Sequence, residues 1–238
     1  MYALGLDTAD LLGAFLVGGV VQVERCEHDA ELTVNNCFVD SMFCVEQDAQ
    51  AACSTYQAAV EKLQASTQFV RGDVAPHNAV GDAYVSWAER VSDNNAMQHL
   101  QSALDHGYQA ALHINASCTE ALIGIGEVHS KMGKLCQRNG SNDADPHLHE
   151  AARAFERALQ SPANLGSFQD RCETRYNYAC LLALCKRPGE AINVLAELLK
   201  CQGVTAHDLV NDSDFGDIRS LPAFQHLIEQ AKSVLTSA

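Results

Sequence analysis

The stretch from residue 172 to residue 205, CETRYNYACLLALCKRPGEAINVLAELLKCQGVT, leaves few folds open to this chain. Tyr178, Ala179 and Leu182 fall at helical spacing before the break Lys186-Arg187-Pro188-Gly189, and Ala191, Leu195 and Leu198 do so after it. The spacing predicts two amphipathic helices joined by a tight turn. Ala179 and Ala191 are small where two antiparallel helices must approach closely, while Tyr178, Leu182 and Leu195 are large enough to fill the space between them. The unit is an αα-hairpin. One hairpin cannot bury its own apolar face, so neighbours of the same kind are expected.

The neighbours are visible upstream. In 76–91, Pro76 opens a helix carrying Val80-Gly81 and Tyr84, and its partner helix is marked by Tyr108 and Ala111,. Residues 92–95 read as a turn between them, with 96–105 lengthening the second helix. Thr119 is placed to cap a helix through Ile125-Gly126 and His129 to Gly133, followed by a second helix with Ala151, Phe155 and Ala158,. The polar run 137–146, QRNGSNDADP, reads as an insertion between the two, an exposed and mobile loop,. Residues 34–63 read helically, with Ala52, Tyr56 and Ala59 forming the second half of an earlier hairpin,. Three regions result: an apolar N-terminal segment, 1–33; a helical array, 34–205; and an acidic linker with a terminal amphipathic helix, 206–238.

These patterns resemble the tetratricopeptide (TPR) family, whose repeat of roughly 34 residues places large, small and ring side chains, then Ala, an apolar residue and Ala, at fixed positions. Tyr178-Ala179, Leu182, Ala191 and Leu195 occupy those positions, with Leu198 where the last Ala is usual. Val80-Gly81-Tyr84 and Ile125-Gly126-His129 repeat the first-helix pattern, and Asp214, Phe215 and Arg219 are similar to the tail that often follows the last repeat. The resemblance implies an all-α solenoid of antiparallel helix hairpins, three to four repeats, with a C-terminal capping helix. It also implies that first helices line a concave, partner-binding groove, which places Asn78, Asp82, Glu120, Ile123, Glu127, Glu173, Tyr176 and Asn177 there.

Four of those eight are acidic and none is basic, whereas the family's chaperone-binding members clamp a carboxylate with Lys, Arg and Asn. The acids are either a solvated helix face or a surface for a protein or peptide carrying a basic segment. The expectation is a non-catalytic interaction module, scaffold or assembly factor without a cofactor. Its alternatives are a permanent structural subunit and an enzyme with an unrecognised site.

Composition narrows the partner. Sixteen Lys and Arg against thirty Asp and Glu give a net charge of −14, which repels nucleic acid and anionic lipid,. With 47% hydrophobic and 19% charged residues the chain can bury a sizeable core,. The glycine-interrupted apolar run 11–23 is too short for a membrane span,. Ten cysteines without a CxxC read as buried thiols, pointing to the cytoplasm or another soluble reducing compartment,.

Sites of chemistry are sparse in the sequence. Ile123-Gly124-Ile125-Gly126 lacks the third glycine of a dinucleotide loop, and helix packing accounts for its small residues,. Cys136, His147, His149 and Cys172 lack the close ligand pairs of metal motifs, so no metal site is expected, and Cys180 and Cys185 read as packing residues,.

Overall fold

The computed structural model describes residues 49–67, 72–141, 143–160 and 165–236, and among them every regular element is helical. The apolar segment 1–33 and the helical reading of 34–48 lie outside the described residues. Helix α1 (Ala49–Thr67) packs on α2 (Ala75–Ala88), with Val60 and Leu63 against Ala79, Val80 and Ala83. Pro76 sits in the first turn of α2, where a missing N–H costs nothing, and Asp73 accepts the Ala75 N–H at 2.9 Å,.

The next rod runs through α3 (Asp93–Ser102), a π-helical turn (Ala103–Tyr108) and α4 (Gln109–Ile114). It begins three residues earlier than 96, because Asp93 and its two neighbours join the helix instead of forming a turn. The Gln109 N–H donates to the Leu104 carbonyl, the five-residue spacing of a π turn,. That widened turn brings Gly107 and Tyr108 to α2. A Cβ on Gly107 would lie 2.5 Å from the Gly81 backbone, so only glycine permits this approach.

Helices α5 (Thr119–Arg138) and α6 (Ala144–Leu159) form the most extensive hairpin. Helix α5 does not end at Gly133, and the polar run is not a long loop. Both helices extend into it, so that of the described residues only 139–141 and 143 lie between them, with Gly140 at φ +66°. The cause is apolar: Met132, Leu135 and Cys136 are buried beyond the expected end, and Gly133 makes room for Leu148, whose side chain would lie 2.7 Å from a Cβ there. Nor does Thr119 cap the helix. Cys118 holds the N-cap position, without a side-chain cap, and Thr119 is the first helical residue.

Helices α7 (Phe168–Leu184) and α8 (Pro188–Lys200) are the hairpin read from 172–205. Ala179, Leu182, Ala191, Leu195 and Leu198 are all fully buried. Lys186 takes the left-handed conformation, φ 58°, that ends α7,. The acidic stretch beyond is no linker. It folds as α9 (Ala206–Asn211) and a 3₁₀ turn (Ser213–Phe215), and Leu209, Phe215 and Ile218 join α10 (Pro222–Thr236) in one core with α7 and α8. Consecutive hairpins also touch: α5 packs on α2 and α3, and α6 packs on α7.

Candidate functional site

Helices α2, α5 and α7 carry all eight candidate groove residues, and the structure sets two of their carboxylates, Asp82 and Glu173, near a third, Glu127. Asp82 is half-buried and accepts a hydrogen bond from the Tyr108 hydroxyl at 2.6 Å. Burial pushes the Asp82 carboxyl above the ordinary aspartate range, and the Tyr108 bond partly offsets this,. Glu127, also half-buried, is pushed up by burial as well, with Lys131 acting in the opposite sense. Asp82 on α2, Glu173 on α7 and Glu89 just beyond α2 each raise it further by like-charge repulsion. Carboxylates from three hairpins thus share one electrostatic neighbourhood.

The cation within reach is already engaged. Lys131 lies 2.5 Å from Glu89 in a pair open to solvent, worth little on its own,. Nearby, Asn78 donates to the Cys118 thiol at 3.5 Å, and that thiol contacts the exposed Glu120 carboxylate at 3.4 Å. The Asn78 side-chain oxygen is buried without a partner.

Other candidates do different work. Ile123 is half-buried and packs beside Phe155 and Ala158 of α6, so its side chain belongs to the core between α5 and α6. Tyr176 donates to Asp212 at 2.8 Å and meets Phe215 edge-on, which ties α7 to the C-terminal elements. Asn177 is half-buried, and Glu173 is exposed.

Two groupings escaped the sequence reading. His129 of α5 and His147 of α6 place their Nδ1 atoms 3.1 Å apart with ring centroids 5.3 Å apart, so the nitrogens meet almost head-on, as in an N–H···N hydrogen bond. Cys180, Asp212 and Asp214 set ligand atoms within 4.8 Å of one another. Each is occupied: Tyr176 donates to Asp212, Lys134 to Asp214 at 2.6 Å, and burial raises the Cys180 thiol far above the range of a ready metal ligand,. Cys136 is buried, His149 bonds the Asp145 carbonyl, and Cys172 contacts Cys201, so those sequence candidates do not converge. Spacing within one helix could not show the His129–His147 pair or the Cys180–Asp212–Asp214 group, since each joins different elements.

Among the described residues no helix is long and apolar enough to cross a membrane. No family model, no curated protein and no solved structure matches this chain.

Proposed function

We propose that the chain is a non-catalytic protein-interaction module, a TPR-like array whose first helices receive a partner polypeptide carrying Lys or Arg. One observation supports the reading above others: Glu127 is a half-buried carboxylate with Asp82, itself half-buried, and Glu173 and Glu89 near it, and Lys131 is the cation acting on it. Burial without full compensation disfavours the charged form. A cation brought by a partner would relieve that cost, and the net charge of −14 would steer a basic segment toward the face,.

The test uses exposed positions, so that folding is spared. Affinity purification with the intact chain as bait and mass spectrometry identify partners, whose binding is then titrated against the double variant Glu120→Lys, Glu173→Lys. The reading expects affinity to fall about tenfold or more, near 1.4 kcal/mol, and its salt dependence to flatten. Equal affinity and equal salt dependence in the folded variant would place the partner on another surface.

A further inference from the structure

At the start of α5 the chain forms a cavity of about 170 Å³, lined by Ala116, Ser117, Thr119, Leu122, Arg157 and Gln160. Its chemistry is one-sided. The first intrahelical bond of α5 runs from the Leu122 N–H to the Cys118 carbonyl, so the amides of Thr119, Glu120 and Ala121 have no acceptor within the helix,. Cys118 supplies no side-chain cap to satisfy them. Thr119 is only 2% exposed, and its hydroxyl is buried with no hydrogen-bond partner. A buried hydroxyl without a hydrogen-bond partner costs free energy, so a ligand that bonds it is favoured independently of the helix end.

The charge on the cavity wall is positive. Arg157 reaches from α6, and its Nη2 donates to the Ala116 carbonyl at 3.2 Å, which fixes the guanidinium beside the open helix end. Among the described residues Arg157 has no carboxylate within ion-pair distance, although the chain is strongly acidic. Glu120, the acid in this first turn, is drawn elsewhere: it contacts the Cys118 thiol, which in turn accepts from Asn78 of α2. Its carboxylate is thereby held toward α2, while Arg157 and Gln160 close the cavity from α6.

We propose that this cavity binds a phosphate group, with the α5 amides and the Arg157 guanidinium as its main donors. Helix amides, a hydroxyl, a primary amide and a guanidinium are all hydrogen-bond donors to an oxyanion, and they come from two helices, which suits a tetrahedral ligand better than a planar carboxylate. The site shares only residue Glu120, through its backbone amide, with the acidic face on α2, α5 and α7, and it does not depend on the function proposed for that face.

The experiment follows backbone amide resonances of the full chain while inorganic phosphate replaces chloride at constant ionic strength, with N-acetyl phosphoserine amide as a second probe. The expected result is saturable shifts at Thr119, Glu120 and Ala121 with millimolar affinity. Arg157→Gln, at an exposed position, weakens them at least fivefold, and Thr119→Val weakens them while Thr119→Ser restores them. Tighter binding of the phosphoserine probe would identify a phosphorylated side chain as the source, and tighter binding of phosphate the free ion. Shifts no larger than chloride produces for either probe, or shifts equal in the folded Arg157→Gln variant, would overturn the proposal.

Discussion

Tyr108 lies in a slot between two helices, and glycine makes the slot. A Cβ added at Gly81 of α2 would sit 2.6 Å from the Tyr108 ring, and one added at Gly124 of α5 would sit 2.3 Å from it. The ring therefore sets the spacing of α2, α5 and the π turn, and its hydroxyl holds Asp82. Gly124→Ala gains about 1 kcal/mol of helix propensity but overpacks the slot at a cost of about 1–3 kcal/mol. Denaturant unfolding is expected to show a net loss, whereas Gly189→Ala, where no atom lies within 4 Å, should be neutral or stabilising. Equal effects at the two positions would refute the slot. Glu127 gives the second residue-scale prediction. Its folded-state affinity for a proton is raised, so its contribution to stability grows as pH falls through the elevated value and is unfavourable at neutral pH,. Glu127→Gln should therefore raise Tm at pH 7, and the advantage should shrink on acidification toward pH 4. A Tm lowered at pH 7 would mean that the carboxylate stabilises the fold.

Helix ends divide into those a side chain caps and those it does not. Ser167 and Asp170 form a reciprocal capping box at α7, with the Ser167 N–H donating to Asp170 at 2.7 Å and the Asp170 N–H to Ser167 at 3.2 Å. Thr205 and Asp208 repeat the device at α9. Ser167→Ala is expected to cost about 1 kcal/mol, measured by denaturant midpoint, and an unchanged midpoint would show that the box does not matter to the fold. Helix α5 is the contrary case. Thr119 and Gly133 have the residue types of a cap and a stop, yet one is an interior first-turn residue and the other a notch for Leu148. The same glycine serves a helix end or a close approach, and only the neighbouring helix decides which.

At the scale of the molecule the C-terminal elements seal the last hairpin. Phe215 and Phe224 are fully buried against the core of α7 and α8, and Tyr176–Asp212 and Lys134–Asp214 tie that end back to α7 and α5. Burying each large side chain contributes about 1.5–3 kcal/mol, so losing several approaches the whole stability of an ordinary domain, about 5–15 kcal/mol. Truncation after Thr205 exposes Leu195 and Leu198 and is expected to produce aggregation or self-association by light scattering. A soluble monomer with unchanged Tm would show that this seal is dispensable.

The sequence by itself determined what local periodicity can carry: helical structure, the α7–α8 hairpin, the small residues at close approaches and the eight residues lying on first helices. Those follow from the 3.6-residue repeat, which acts over neighbours along the chain. Tertiary structure alone decided that Asp82 and Glu173 both bear on Glu127, that Ile123 turns to the core, that helices α5 and α6 extend into 137–146 from both ends, and that His129 meets His147. Each of these depends on how a helix sits against another far away in sequence, as with Lys134 and Asp214, eighty positions apart. Packing sets such contacts through shape and burial summed over whole faces, and no single spacing in the chain encodes them.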